Sequence, residues 1–330
     1  MRRAWLILLL VGACAALVGC GGSWSQSTAA GNEPADESAP PAPMQAANGP
    51  VDDPPLVTPL RLRLAGARNA FPDPFRKPPR AALVFDLDSG EVLWRKAATR
   101  DLPIASLTKI MTALLVNAHA PASARVRITK QALAYQGSGV GLLPKHRTVQ
   151  LETMLYGLML ASGNDAAIAL AQHVSGTVPR FVARMNSQAR ALGLRCTRFD
   201  SPSGFEEVRF QRQAANRSCA ADLAVLARAL LDQPRLARIV RTRVANRPFP
   251  VKGGRIQLYN HNPLLKERYP GTLGIKTGYT DVAGRSLVAA VERDVHGKRR
   301  RLGVVLLHSP DPGRQAKALL SRSFAALAGG

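Results

Sequence analysis

Cysteine is scarce in this chain, and no metal-binding pattern accompanies it. Four cysteines occur among 330 residues, and the six histidines are scattered without HExxH or Cys-x-x-Cys spacing. The absence of these patterns argues against the familiar zinc sites, and we expect neither a metal nor a cofactor. No histidine stands in a recognisable Cys/His signature, so a cysteine nucleophile is disfavoured as well.

The only apolar run near the N-terminus is too short for a membrane span. It covers residues 6–18, is rich in small residues and follows Arg2 and Arg3, a pattern typical of an export signal. Its ending, Leu17-Val18-Gly19-Cys20, resembles the bacterial lipoprotein signal. We therefore expect a signal peptide over residues 1–19 and a lipid on Cys20, which would anchor the protein to a membrane in the extracytoplasmic cell envelope. An ordinary cleaved signal peptide or a signal anchor is the alternative.

Export changes how the remaining cysteines are interpreted. Cys14 would leave with the signal and Cys20 would carry lipid, so the mature domain keeps Cys196 and Cys219. In an oxidising compartment such a pair is a disulfide candidate. Two buried thiols are the alternative.

Acidic residues are few compared with basic ones. The chain has 22 Asp and Glu against 45 Lys and Arg, a formal net charge of +23. In a cytoplasmic protein this balance would suggest nucleic acid, but an exported protein meets other polyanions first, so we expect no nucleic-acid partner. A basic surface facing anionic wall polymers or lipid head groups is one interpretation, and a compositional habit of the source genome is the other.

Composition and periodicity divide the chain into a tether and a folded domain. Residues 20–79 are rich in Ala, Pro, Ser and Gly, which predicts a disordered tether, and residues 80–330 are predicted to fold. A hairpin is expected over 81–94, helices over 106–116, 151–174, 179–192 and 220–231, strands over 256–259, 273–276, 285–292 and 302–307, and a last helix over 311–327. This order predicts one α+β domain whose first and last segments share an antiparallel sheet.

Three short motifs follow one another along the predicted domain. They are Ser106-Leu107-Thr108-Lys109 at a helix start, Ser162-Gly163-Asn164 between helices, and Lys276-Thr277-Gly278 on a strand. Each is weak alone, because S-x-x-K near a helix start is usually a cap with a solvated lysine. Together and in this order they match the set found in β-lactamases and penicillin-binding proteins.

The residue types in these motifs suit acyl transfer through a serine. Ser106 and Lys109 stand at i and i+3 on one helix face, so the amine can reach the hydroxyl. A lysine can take the serine proton if its pKa falls from about 10.4 towards neutrality. Lys276 and Thr277 form a charge-plus-hydroxyl clamp suited to a terminal carboxylate, and the side chains of Ser162 and Asn164 would relay a proton and hold a substrate amide.

Longer stretches around the motifs resemble one family, the D-alanyl-D-alanine carboxypeptidases among the low-molecular-mass penicillin-binding proteins, or S11 serine peptidases. The resemblance spans residues 104–112, 161–166 and 274–280. It implies a penicillin-binding or β-lactamase-like fold, in which helices flank an antiparallel sheet. The resemblance also implies three catalytic residues: Ser106 as nucleophile, Lys109 as general base and Ser162 as the third. It implies that Lys276 binds the substrate carboxylate and that Asn164, Thr277, Gly278 and Tyr279 also bind substrate. The backbone N–H groups of Ser106 and Tyr279 would form the oxyanion hole.

The activity implied by the resemblance is removal of the terminal D-alanine from peptidoglycan stem peptides through a serine ester. β-Lactams would acylate the same serine. Many members of the family carry a C-terminal β-domain and an amphipathic anchor, whereas this sequence ends with the catalytic domain. We expect the N-terminal lipid and tether to replace them.

Three other functions remain as alternatives. An endopeptidase that cuts peptidoglycan crosslinks would use the same site, and the motifs do not separate the two activities. A class A β-lactamase would need a glutamate for deacylation, and Glu206 and Glu207 lack the pattern that surrounds it in that family. A non-enzymatic wall-binding lipoprotein with a relic site should have lost Ser106, Lys109 or Lys276, and all three are present.

Overall fold

The computed structural model describes residues 54–206, 214–250 and 253–329. The predicted signal peptide, Cys20, residues 20–53 of the predicted tether, and Glu207 lie outside the described residues. None of the described helices is long and apolar enough to cross a membrane.

The elements follow one another in three groups. The first comprises β1 (Ala81–Asp86), β2 (Val92–Lys96), β3 (Leu102–Pro103), a 3-10 turn (Ala105–Thr108), α1 (Lys109–His119), β4 (Arg125–Arg127), α2 (Lys130–Leu133) and β5 (Thr148–Gln150). The second comprises α3 (Leu151–Met159), α4 (Asn164–Ser175), α5 (Val178–Ala191), β6 (Arg217–Ser218), α6 (Ala220–Leu231) and α7 (Pro234–Arg241). The third comprises β7 (Val244–Pro248), β8 (Arg255–Tyr259), α8 (Pro263–Lys266), β9 (Thr272–Gly278), β10 (Ser286–Val295), β11 (Lys298–Leu307) and α9 (Pro312–Ala328).

Strands from both ends of the chain build the central sheet. Its order is β2-β1-β11-β10-β9, and every neighbouring pair is antiparallel. Successive side chains of a strand point to opposite faces, so Leu83 and Phe85 pack on one face while Ala82 and Val84 pack on the other. Both faces are covered, which explains the nearly unbroken apolar runs of these strands. The predicted α+β fold with a shared antiparallel sheet is confirmed.

Two hydrophobic cores lie on the two faces of the sheet. The larger core joins one face to helices of the chain's middle and includes Leu107 of the 3-10 turn and Ile110 of α1. The smaller core joins the other face to α9 through Leu320 and Phe324. The start of α1 therefore lies beside the β9 edge of the sheet, and the predicted site residues lie where these two elements meet.

Several elements differ from their predictions. The helix expected over 151–174 is two helices, because the chain leaves the helical path at Ser162, whose φ is +61°. The strand expected over 256–259 forms, but β8 pairs with β7 in a separate hairpin outside the central sheet. Helix α7 was not predicted.

Residues 54–79, predicted as the end of the disordered tether, instead run along the domain without forming a helix or strand. The backbone N–H of Leu56 donates to Gln188 Oε1 at 3.1 Å, and that of Arg63 donates to Gly90 O at 2.9 Å. The ring of Phe71 stacks on Trp94. The prediction missed this part because its apolar side chains are spaced without the period of a helix or strand.

Candidate active site

Ser106 lies on a tight turn that its surroundings hold in place. Ala105, just before it, has a φ of +46°, a conformation that residues with a side chain rarely adopt. The Thr108 hydroxyl donates to Ala105 O at 2.8 Å, and the backbone of Gly204 approaches Ala105 O so closely that a Cβ would not fit there. Strain of this kind persists only where packing maintains it, and it is frequent at active sites.

Lys109 is completely buried beneath Ser106. Its Nζ donates to Ser106 Oγ at 2.8 Å, to Asn164 Oδ1 at 2.7 Å and to Ser203 O at 2.8 Å. These three acceptors use all the protons of an ammonium group. A neutral amine has two protons and one lone pair. Since the carbonyl oxygens of Asn164 and Ser203 can only accept, the lone pair of the neutral amine faces the Ser106 hydroxyl.

The electrostatics of the site favour this neutral amine. Burial lowers the pKa of Lys109 well below its usual value of 10.5, the positive charge of Lys276 lowers it further, and Asp165 opposes both effects. Burial disfavours the charged form of any lysine, and a second cation nearby acts in the same direction.

Ser162 and Asn164 stand where α3 ends and α4 begins. Ser162 is buried and lines the cleft above Ser106. Asn164 Nδ2 donates to Gln136 O at 2.6 Å, which fixes its amide oxygen towards Lys109. The Asp165 carboxylate accepts hydrogen bonds from the backbone N–H groups of residues 140 and 141, at 2.9 and 3.1 Å. The loop over 136–141 is thereby tied to α4, and Ser138 of this loop forms one wall of the cleft.

Lys276, Thr277 and Gly278 lie at the end of β9, beside the turn that carries Ser106. A Cβ on Gly278 would lie 2.9 Å from Ile104 O, so only glycine allows the strand to come this close. Lys276 is 1% exposed, its Nζ donates to Thr277 O at 2.9 Å, and burial lowers its pKa to about 7. Burial thus brings the neutral form within reach near neutral pH, and a bound anion would favour the charged form.

A cleft of ≈ 350 Å³ connects the three motifs. Ser106, Ser162, Thr277, Gly278 and Tyr279 line it, and Lys109, Asn164 and Lys276 lie behind that lining. The structure thus brings together all the site residues that the motifs indicated. The Tyr279 side chain lines this cleft, is 62% exposed and donates to Asp281 Oδ1.

The sequence analysis missed several residues that complete the site. Ser138, His261 and Arg285 line the cleft but belong to no motif. Burial lowers the pKa of His261, and the charges of Lys276 and Lys266 lower it further, which favours the neutral ring. These residues come from three separate segments, so no local signal could have indicated them.

Asn216 is a buried residue that joins the turn of Ser106 to the loop over 200–204. Its Nδ2 donates to Thr108 Oγ1 at 2.9 Å and to Ser201 O at 2.8 Å. Its Oδ1 accepts from the backbone N–H groups of Asp200 and Ser201, at 2.7 and 3.0 Å. The same loop supplies Ser203 O to Lys109, so Asn216 positions both the serine turn and an acceptor of the lysine.

Cys196 and Cys219 form a disulfide with their Cα atoms 5.5 Å apart. The Asp222 carboxylate, close to both sulfur atoms, accepts hydrogen bonds from Cys196 N at 2.7 Å and Thr197 Oγ1 at 2.8 Å. Disulfide sulfurs are not thiolates, and this carboxylate is occupied, so the cluster is unsuited to a metal ion. The bond holds Cys219, which lies three residues after Asn216 and directly before α6.

Glu206, considered above as a deacylating glutamate, lies at the edge of the site. It is buried, its carboxylate oxygens are 3.4 Å from Thr280 Oγ1, and burial raises its pKa. It is not among the residues that line the cleft, and among the described residues no contact joins it to Ser106 or Lys109. A β-lactamase-type deacylation has no support from this geometry.

Comparison with known proteins agrees with the geometry. The family model of Peptidase_S11, described as D-alanyl-D-alanine carboxypeptidase, matches residues 73–309. D-alanyl-D-alanine carboxypeptidase DacF of Bacillus subtilis is 34% identical over 251 residues, which cover 74% of this chain and 61% of DacF. The chain therefore spans less than two thirds of the length of that relative.

Solved structures show the same likeness. The crystal structure of a D-alanyl-D-alanine carboxypeptidase from Mycobacterium tuberculosis matches with a TM-score of 0.69 and 32% identity, covering 82% of this chain and 96% of that one. A mutant of the Streptomyces K15 DD-transpeptidase matches with a TM-score of 0.68 and 30% identity, covering 77% and 100%. The chain belongs to the D-alanyl-D-alanine carboxypeptidase family, Peptidase_S11.

Proposed function

We propose that the protein is a serine-type D-alanyl-D-alanine carboxypeptidase that removes the terminal D-alanine from peptidoglycan stem peptides. The observation that carries the proposal is the contact of 2.8 Å between Lys109 Nζ and Ser106 Oγ, made by a completely buried amine. The family supports the choice of substrate.

Acylation begins with transfer of the Ser106 proton to the neutral amine of Lys109. The Ser106 Oγ attacks the carbonyl carbon of the penultimate D-alanine and forms a tetrahedral intermediate. The backbone N–H groups of Ser106 and Tyr279 stabilise its oxyanion, an arrangement supported by the close approach of Gly278 to the serine turn. The C–N bond then breaks, the leaving amine takes the proton from Lys109 through the Ser162 hydroxyl, and D-alanine departs.

Deacylation repeats these proton transfers with water. A water molecule gives one proton to Lys109 as its oxygen attacks the ester carbonyl, and Ser106 Oγ recovers the proton when the C–O bond breaks. Ser106 Oγ would attack the carbonyl carbon of a β-lactam ring in the same way. Its leaving nitrogen stays attached to the acyl group, so the serine ester persists and the enzyme is inhibited.

Lys276 and Thr277 bind the terminal carboxylate of the substrate in this proposal. An anion that enters the cleft stabilises the charged form of Lys276, whose pKa of about 7 allows protonation at little cost. The exposed Arg285 on the same cleft adds a second positive charge. Asn164 holds Lys109 in position through its amide oxygen, while its amide nitrogen donates to Gln136 O.

Cleavage of crosslinks by the same residues is the competing activity. Both activities can be assayed on purified muropeptides, with release of D-alanine from pentapeptides measured beside loss of crosslinked dimers. A kcat/KM for pentapeptides that exceeds the value for dimers supports the carboxypeptidase, and the reverse order identifies an endopeptidase.

We also propose an extracytoplasmic location with a lipid on Cys20, since the family acts on the cell wall and residues 17–20 match the lipoprotein signal. Cys20→Ala should move the protein from the membrane fraction to the soluble envelope fraction. If the variant stays bound to the membrane as the wild type does, the lipid is not the anchor.

Labelling with a fluorescent penicillin tests the proposed nucleophile. Mass spectrometry should locate the label on the peptide that contains Ser106, and Ser106→Ala should lose both the label and D-alanine release. D-alanine release that survives in Ser106→Ala would overturn the proposal.

A further inference from the structure

A second cavity lies at the far end of α3 from the catalytic residues. Glu152, in the first turn of this helix, lines the cavity, whereas Ser162 lies three residues after the helix's last residue, Met159. The nine residues of α3 separate the two places, by about 13 Å at 1.5 Å per residue. The cavity has a volume of ≈ 470 Å³ and is distinct from the cleft above Ser106.

Four arginines from three elements converge on this cavity, which we call the arginine pocket. They are Arg125 of β4, Arg235 and Arg238 of α7, and Arg247 of β7. Among the residues that line it, Glu152 is the one carboxylate, so the lining carries a formal charge of +3. Like charges gathered around one cavity repel one another unless an anion lies between them.

The guanidinium groups of the arginine pocket are held in place by their neighbours. Arg235 Nε and Arg238 Nη2 donate to the two oxygens of Glu152 at 2.8 and 3.3 Å. Arg125 Nε donates to Thr148 Oγ1 at 2.9 Å, and the Arg247 guanidinium stacks 4.8 Å from the centre of the Tyr156 ring. Groups fixed in this way lose little conformational entropy when a ligand binds.

Two N–H donors of these arginines remain without an acceptor. Arg235 Nη2 and Arg247 Nε are buried and have no hydrogen-bond partner among the described residues. Buried donors are nearly always satisfied in folded proteins. These two atoms lie beneath the surface of the cavity, so an anion in the cavity would meet the other nitrogens of the same guanidinium groups. Guanidinium groups that line a cavity match the oxygens of a bound oxyanion.

We propose that the arginine pocket binds a phosphate-bearing anion. A carboxylate has two coplanar oxygens and one negative charge, which suits a single arginine. A phosphate group directs its oxygens tetrahedrally and carries up to two charges, which suits guanidinium groups that arrive from three elements and a lining of +3.

Inorganic phosphate is the probe that tests this site. In the purified full chain, phosphate should raise the melting temperature saturably above the value in chloride at equal ionic strength. The double variant Arg238→Gln/Arg247→Gln should bind phosphate at least tenfold more weakly. The matched control is Arg241→Gln/Arg243→Gln, which removes the same charge from exposed positions of the same segment outside the pocket and should bind as the wild type does.

Two results would overturn the proposal. One is equal stabilisation by phosphate and chloride, and the other is equal weakening in both double variants, since each indicates general screening of a basic surface. If loss of Arg247 prevents folding, Arg238→Gln alone serves, because its side chain is 67% exposed. A threefold or greater weakening is then expected, and unchanged affinity would refute the site.

Vesicles distinguish the source of the phosphate group. The full chain with Cys20→Ala, which lacks the proposed lipid site, is sedimented with vesicles of phosphatidylglycerol and phosphatidylcholine. Binding that inorganic phosphate competes away and that Arg238→Gln/Arg247→Gln abolishes identifies a lipid head group. Saturable phosphate binding without vesicle binding identifies a soluble phosphate compound.

Discussion

Lys276 should make the enzyme's preference for a free carboxylate depend on pH. Burial lowers the pKa of this lysine to about 7, so its ammonium form dominates below pH 7 and its neutral form above. Since kcat/KM reports the protonation state of the free enzyme, activity on a peptide that ends in a carboxylate should lose the contribution of this charge as pH rises above 7. An analogue with an amidated terminus never had that contribution.

The size of the effect follows from the interaction lost. A hydrogen bond to a charged group contributes about 1.5–3 kcal/mol, or roughly 10- to 150-fold in kcat/KM. With a pKa of about 7, about 1% of Lys276 is still charged at pH 9, so the ratio of kcat/KM for the free acid to that for the amide should fall by roughly 10- to 50-fold between pH 6 and pH 9. The contribution of Lys109 cancels in the ratio, because both substrates need the same base.

The assay measures this ratio from pH 6 to 9 in the wild type, in Lys276→Met and in the control Lys298→Met, an exposed lysine of β11 outside the cleft. Lys276→Met should show a low ratio that does not change with pH, and Lys298→Met should follow the wild type. A ratio independent of pH in the wild type, or one that survives in Lys276→Met, would show that this lysine does not bind the carboxylate.

Three further predictions concern stability and positioning. Between pH 7 and 10.5 the unfolded chain binds a proton that folded Lys276 has lost, so wild-type stability should rise with pH over this range. Lys276→Met should accordingly be more stable than the wild type at pH 7, by at most about 5 kcal/mol at 1.36 kcal/mol per pKa unit, and the difference should shrink towards pH 10. Denaturant titration at both pH values measures this difference. A difference of the same size at pH 7 and pH 10 would contradict the reasoning. Asn216→Ala should lower the free energy of unfolding by about 2–5 kcal/mol, because it leaves buried partners unsatisfied, and should slow acylation by penicillin. The control Asn246→Ala, at an exposed position, should change neither stability nor acylation. Acylation of Asn216→Ala at the wild-type rate would contradict the positioning role. Replacing Cys196 and Cys219 by serine opens a loop with a sequence separation of 23 residues, which should lower the free energy of unfolding by about 3 kcal/mol in the chain-entropy model. A decrease below about 1 kcal/mol in denaturant titration would show that this model does not apply here.

Local patterns made part of this protein predictable. The hairpin of β1 and β2, the strands of the central sheet and the three motifs all depend on neighbours within a few residues, so spacing and apolar periodicity identify them. The contact between Ser106 and Lys109 is of this kind, since both lie within one turn. Agreement between residue type, spacing and helix position was enough to predict that these two side chains meet.

Features that depend on distant residues were not predictable in the same way. The interruption at Ser162 requires a positive φ, which the surrounding contacts enforce and a helical apolar pattern conceals. Asn216 acts through Thr108, 108 positions away in the sequence. The arginine pocket joins β4, α7 and β7, and nothing in the local sequence of any of them indicates that they meet.

The rate of Ser106 acylation by a fluorescent penicillin in wild type and Lys109→Met tests the central claim most directly. A positioned general base contributes about 10²- to 10⁴-fold, so Lys109→Met should acylate at least about 100-fold more slowly while its melting temperature shows that it remains folded. Mass spectrometry should still find the residual label on Ser106. Acylation of Lys109→Met at the wild-type rate, or a label on another residue, would contradict the account.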